Sequence, residues 1–333
     1  MPAITHDDVK PQVPKGAFRV LVTGFGPFSH YGDNPSWLAV EPLQNTVLHT
    51  DIHSKSSSHV STPEITHDPQ PIHITTLKVP VVYQDVLDIV PGLHARPPHL
   101  PPDAPEDCVP PPPGNYHFVF HIGVAGRGPL RMERLGHKLG YHMKDAKGKL
   151  APVVRVSPKD FSRHGDPVGP GEPTAIVERM IGGSATGLTM AESMERERLG
   201  MSDIVEAGDA QAVRPTRGFG VGYETLPDEI TSDIDVTRLV HDLKKSGVEQ
   251  IYTSMDAGHY LCDFIYYCSL AEVKRASKPY EKRQNTQVLF LHCPPVDQPL
   301  STAEVTDAIK RIVVWVCGEL QLHDAKEAVV ANA

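Results

Sequence analysis

Two of the five cysteines stand six residues apart in TSMDAGHYLCDFIYYCSLAE, residues 253–272. A thiol is an intrinsically strong nucleophile, so the first question is which of the two is placed to use it. Read as a helix from Leu261, the apolar Leu261, Phe264, Ile265 and Cys268 fall at i, i+3, i+4 and i+7. That spacing makes one buried stripe, and Cys268 is expected in the core. Cys262 lies off the stripe, in the first turn, just after an Asp256-Ala257-Gly258 segment that can turn sharply between a strand and the helix. Unpaired backbone N–H groups at a helix start favour an anion, which suits a nucleophilic thiol, while the neighbouring Asp263 opposes a second negative charge. On position alone, an inert buried thiol stays the ordinary alternative.

A thiol needs a base, and the base needs a group to orient it. The elements that would bring such groups together are strands rich in β-branched and aromatic residues: FRVLVTGF (18–25), IHITTLKVP (72–80), HFVFHIGV (117–124), EQIYTS (249–254) and QVLFLHCP (287–294). Helical patterns lie between them: PSWLAVEPL, which Pro42 should end early, VVYQDVLDIV, DIDVTRLVHDLKKSG, the Cys262 segment, and STAEVTDAIKRIVVWVCGEL. Ser301 with Glu304 forms a capping box, and Gly247 after Lys244 and Lys245 is a helix stop. Alternating strand and helix predicts a three-layer α/β/α fold with a largely parallel or mixed central sheet. We expect one α/β domain, its core about 17–323, decorated by three insertions. These lie near 45–70 (polar, rich in Ser and His), near 91–115 (proline-rich, expected to hold no regular helix or sheet, with Cys108 exposed) and near 183–230 (with little core pattern).

Ligands of open α/β sheets bind at the carboxyl ends of the strands. The strand exits supply Phe25 and Phe28 from TGFGPF, Glu133 from GVAGRGPLRMER, Cys262 from SMDAGHYLC, and His292 from LHCPP. A thiol, an imidazole and a carboxylate are the parts of a Cys/His/acid relay. Each also has a plain structural reading. His292 alone is a hydrogen-bonded histidine at a strand end, and Glu133 in RMERLGHK is a surface partner of an arginine. Cys293 should point to the face opposite His292. The glycines of TGFGPF do not make a dinucleotide fingerprint, because Ser29 stands at the third glycine and Pro27 interrupts the helix start.

Bulk properties narrow the class. With 333 residues, 40% of them hydrophobic, the chain can bury a core without staples, and five cysteines without regular spacing give no disulfide framework. The N-terminal MPAITHDDVKPQVPKG lacks the apolar run of a signal peptide and no stretch is long enough to span a bilayer, so a cytosolic setting is expected. A net charge of −9 without a basic stripe argues against nucleic acid. The eighteen histidines are scattered; His117 and His121 can share a strand face, but no Cys-x-x-Cys or His-Glu-x-x-His accompanies them, and no metal site is expected.

Taken together, the segments VLVTGFGPFSHYGDNPSW, HIGVAGRGPLRMERLG, SMDAGHYLCDFIYY and FLHCP, in that order, resemble the pyroglutamyl peptidase I family of cysteine peptidases. The resemblance covers some 200 residues in pieces. It implies Cys262 as nucleophile, His292 as general base and then acid, and Glu133 as the group orienting the imidazole. It further implies Phe25, Phe28, Val124, Tyr260 and Leu261 as positions lining a slot for the lactam ring. The implied partners are peptides with an N-terminal pyroglutamate, with no metal or organic cofactor; the oligomeric state is not read from the sequence. The chain departs from the family pattern in AGRG where AGGR is usual, with one residue fewer before Glu133. It also has Val124 in place of a glutamine, Asp263 in place of an asparagine, and Met143 or Lys144 near the family's arginine. Such changes around a relay leave open an alternative: a weak or inactive relative that binds blocked peptide ends or a protein partner.

Overall fold

The architecture follows from strands that are buried on both faces. A computed structural model describes residues 11–51, 68–154, 216–277 and 285–331. The strands are β1 (Phe18–Phe25), β2 (Val47–His49), β3 (Pro71–Val79), β4 (Phe118–Val124), β5 (Leu130–Glu133), β6 (Leu135–His137), β7 (Glu229–Thr231), β8 (Ile251–Ser254) and β9 (Gln287–Cys293). The helices are α1 (Pro35–Val40), α2 (Tyr83–Leu93), α3 (Val236–Lys245), α4 (Leu261–Ala276) and α5 (Thr302–Ala331). Seven strands form one sheet in the order β2-β3-β1-β4-β9-β5-β8, and β6 pairs with β7 apart from it. The pairs β3/β1, β1/β4, β4/β9 and β5/β8 are parallel, whereas β2/β3 and β5/β9 are antiparallel, so the sheet is mixed.

Alternation along each strand sends side chains to two cores. In β9, Val288 and Phe290 join α2 and α4, while Leu289, Leu291 and Cys293 join α1, α3 and α5. This is the three-layer arrangement expected from strand and helix alternation. Helix α4 is the centre of the first core: Leu261 through Glu272 are all buried, a wider face than the single stripe containing Cys268. No helix among the described residues is long and apolar enough to cross a membrane.

Local signals account for the joints. After β1 the Asn34 side chain accepts from Ser36 N, the Ser36 hydroxyl donates to Asn34 Oδ1 at 2.8 Å, and Phe25 N donates to Ser36 Oγ at 3.0 Å. These bonds cap α1 and tie it to the strand exit. Gly24 allows this approach, since a Cβ there would lie 2.9 Å from Trp37 Cα. The Ser301/Glu304 capping box forms, with Ser301 N donating to Glu304 Oε2 and Glu304 N to Ser301 Oγ. Gly247, at φ 101°, ends α3.

The described parts of the three insertions are more ordered than their composition suggests. Helix α2 continues through Pro91 to a buried Leu93, because a proline in the last turn forfeits one hydrogen bond while Leu93 buries its side chain. Further along, Cys108 is half-buried, accepting from Gln44 Nε2 at 3.2 Å, rather than exposed. In the first insertion β2 adds an antiparallel edge strand; residues 52–67 lie outside the described residues. In the third, residues 183–215 lie outside them, but Phe219, Tyr223 and Ile230 are buried in the α4 core, and Phe219 stacks on Phe264 with centroids 4.1 Å apart.

Two histidines of this core carry a consequence for pH. Burial pushes His94 down to about 4 and His121 to about 3; His94 Nε2 lies 2.6 Å from Ser269 Oγ, and His121 Nδ1 2.8 Å from Thr23 Oγ1. Both folded values lie below the unfolded value of about 6.5, so the unfolded chain binds more protons in between and stability falls as pH drops through that window. His94→Gln retains a partner for Ser269 and removes one titration. Urea melts at two pH values, about 7 and about 5.5, should show the variant losing about 1 kcal/mol less than the wild type over that interval. Equal losses would contradict it.

Candidate functional site

The site assembles where β4, β9 and β5 lie side by side. Strand β5, four residues long, runs antiparallel to β9, pairing Arg131 with His292 and Glu133 with Phe290. Glu133 thus lies at the end of its own strand rather than in the loop leaving β4. It is fully buried, not a surface partner of arginine; Arg131 Nε is 4.0 Å away. Its Oε1 lies 2.7 Å from His292 Nδ1, the histidine being 1% exposed. The Glu133 carbonyl accepts from Tyr266 OH of α4 at 3.1 Å, fastening β5 to that helix. The shortened segment before Glu133 therefore does not withdraw its carboxylate from the imidazole.

On the other side of His292, β4 pairs Gly123 with it in parallel register, which puts both residues on the same face of the sheet. A Cβ on Gly123 would stand 2.7 Å from Cys262 Sγ and 2.7 Å from Phe290 Cζ. The thiol accordingly packs directly over the glycine beside His292, on the α4 face. Cys293 points into the opposite core, and Val124, its partner in register, is not brought to the thiol face.

The thiol is delivered by the turn before α4. Gly258 adopts φ 81°, with its N–H donated to Asp256 Oδ1 at 2.8 Å, and Tyr260 is the extended N-cap. Cys262 is 7% exposed in the first turn. Burial pushes Cys268 and Cys293 up to about 12 and Cys317 higher still, so these thiols remain protonated core residues. Phe25, Phe28, Tyr260 and Leu261 share the cluster with Cys262, and the Phe28 and Tyr260 rings are 5.4 Å apart. Tyr260 OH donates to Lys144 O, and Tyr83 OH to Met143 O, holding the 143–144 segment against this cluster.

Comparisons with known proteins bear on the chain as a whole. No family model matches the chain. It is 24% identical over 304 residues to pyroglutamyl-peptidase 1 of Rattus norvegicus, covering 91% of each chain. It is 24% identical over 309 residues to pyroglutamyl-peptidase 1 of Homo sapiens, covering 92% of this chain and 93% of the relative. The chain resembles the pyroglutamyl peptidase I family. The fold agrees too: pyrrolidone carboxyl peptidase from Thermococcus litoralis superposes with a TM-score of 0.50 at 14% identity, over 92% of this chain and 96% of that one. The matched span of 304 residues is longer than the roughly 200 residues of separate motifs.

Sequence reasoning missed one cluster at this end of the sheet. His137 of β6 and His259 converge on Asp263, which follows Cys262. The signal available was the i, i+4 spacing of His259 and Asp263; the partner strand β6 is too short to read.

The contact at Gly123 gives a direct test. Gly123→Ala should force the thiol or the Phe290 ring to move, lowering stability by about 1–3 kcal/mol and changing the alkylation rate of Cys262 in the native protein. Unchanged stability and an unchanged alkylation rate would show that the thiol does not rest on this glycine.

Proposed function

We propose that the chain is a cysteine-type exopeptidase that removes pyroglutamate from peptide N-termini. The observation that carries this reading is the buried His292–Glu133 pair, on the same sheet face as a helix-start thiol seated over Gly123. The names of the relatives supply the acyl group.

Glu133 accepts from His292 Nδ1–H and holds the ring in one orientation, leaving Nε2 for the proton in transit. The Cys262 thiol passes its proton to Nε2 and the sulfur attacks the carbonyl carbon of the pyroglutamyl residue. The resulting oxyanion is held by backbone N–H groups at the start of α4. His292 then returns the proton to the departing amine, the C–N bond breaks, and the acyl group remains on sulfur as a thioester. Water, deprotonated by His292, attacks the thioester, releasing pyroglutamate and restoring the thiol.

Phe25, Phe28, Tyr260 and Leu261 form the slot in this scheme. A flat, uncharged lactam suits aromatic and aliphatic walls, whereas an ordinary N-terminal ammonium would lose its hydration there without a compensating carboxylate. Phe28 and Tyr260 touch, so the ring enters by parting them. Val124 is left out of the slot because its register places it with Cys293. Cysteines 108, 262, 268, 293 and 317 are all free thiols, which supports a reducing, cytosolic setting.

The purified protein should release a reporter amine from a pyroglutamyl amide and not from the acetyl or prolyl analogue. Cys262→Ala should abolish release, and Glu133→Gln should lower kcat roughly 100-fold or more while the protein stays folded, because a wrongly held imidazole cannot accept the proton. Equal rates for wild type and Cys262→Ala would assign the activity elsewhere. Tight binding of the amide with no turnover would favour a relative that only binds blocked peptide ends, the reading suggested by the altered residues around the relay.

A further inference from the structure

Beside Cys262, in the next residue of α4, begins a second set of groups that the peptidase scheme does not use. Asp263 is fully buried in the first turn of α4. Its Oδ1 accepts the His137 backbone N–H at 3.1 Å, and its Oδ2 accepts from Tyr141 OH at 2.8 Å. His137 Nδ1 lies 3.2 Å from Oδ2, and His259 Nδ1 lies 3.9 Å from the same oxygen. The three ligand-type atoms are all within 4.8 Å of one another. His259 Nδ1 is buried yet has no hydrogen-bond partner among the described residues. The two imidazoles keep 18% and 24% of their side chains exposed.

We propose that His137, His259 and Asp263 bind a divalent cation of the zinc class, with water as the fourth ligand, and so clamp β6 to the start of α4. An ion about 2.0–2.2 Å from each of its ligands in a tetrahedral site sets them roughly 3.3–3.6 Å apart, and the separations of 3.2 and 3.9 Å bracket that range. Two imidazoles and one carboxylate are a donor set suited to zinc, and the partial exposure leaves room for the water. The ligating oxygen is already oriented: Tyr141 bonds it, and the His137 N–H holds the other oxygen of the same carboxylate, the outer support that metal-bound carboxylates need. The ligands come from β6, the turn before α4, and α4 itself. Their ligation therefore fastens the loop that presents Cys262, yet none of them belongs to the proposed relay.

The test is calorimetric titration of the full chain with zinc(II) alone, and separately the absorption spectrum with cobalt(II). We expect one ion per chain, tetrahedral cobalt bands without a thiolate charge-transfer band, and a raised Tm on zinc addition. His259→Ala, at a partly exposed turn position, should weaken binding at least tenfold and remove the Tm shift. Asp263→Asn, which keeps the side chain's shape, should do the same. Cys262→Ser should bind as the wild type does, which separates this site from the relay whatever the fate of the peptidase reading. No binding by the wild type at micromolar zinc, or binding that survives in His259→Ala, would overturn the proposal. Loss of binding in Cys262→Ser, or a thiolate band with cobalt, would place the ion on the relay thiol and overturn it equally.

Discussion

A carboxylate buried to 0% exposure is stable only when something replaces the water it has lost. For Glu133 that replacement is the imidazole of His292 at 2.7 Å, and much of the surrounding structure serves to keep the two together. Strand β5 is short and lies between β9 and β8, antiparallel to the first and parallel to the second, in a sheet whose neighbouring pairs are mostly parallel. That insertion brings Glu133 beside Phe290, one diagonal step from His292. Removing either partner would take from the other its shortest buried polar contact, so the pair constrains the fold.

The thiol depends on a different constraint, the absence of a side chain. Gly123 stands next to His292 in the ladder, and the space its missing Cβ leaves is filled by Cys262 Sγ and the Phe290 ring. Helix α4 can lie this low because its flanks are also apolar or bonded: Tyr266 reaches the Glu133 carbonyl, Tyr267 OH donates to Pro227 O, and Asp263 is held by His137 and Tyr141. Each of these fixes the pitch and height of the first turn. A thiol seated this tightly over Gly123 has little freedom to move, which is the preorganisation the proposed proton transfer and attack would require.

Much of this was legible in the sequence because the informative elements are long and strongly patterned. The four long strands β1, β3, β4 and β9, the capping box at Ser301 and the stop at Gly247 follow from periodicity and local chemistry alone. Cys268 in the core and Cys293 on the face away from His292 follow from the periods of 3.6 and 2. What escaped was short or non-local. Strands β5, β6 and β7 have three or four residues each, too few for any period, so Glu133 read as a loop residue. Phe219 and Tyr223 sit in a glycine-rich stretch without periodicity and are buried only because α4 offers them Phe264 and Glu272. Val124 resembles a family pocket position in one dimension, but strand alternation turns it towards Cys293. The His137–Asp263 contact joins residues 126 apart, a distance across which no spacing rule reaches.

The central claim is that Cys262, His292 and Glu133 act as a single unit, with Glu133 working only through the imidazole. The most direct measurement is kcat/KM on a pyroglutamyl amide for Glu133→Gln, His292→Ala and the double variant. If the carboxylate acts only by holding the ring, the double variant will be no slower than His292→Ala alone. If the two losses multiply instead, Glu133 and His292 contribute independently and the relay described here is wrong.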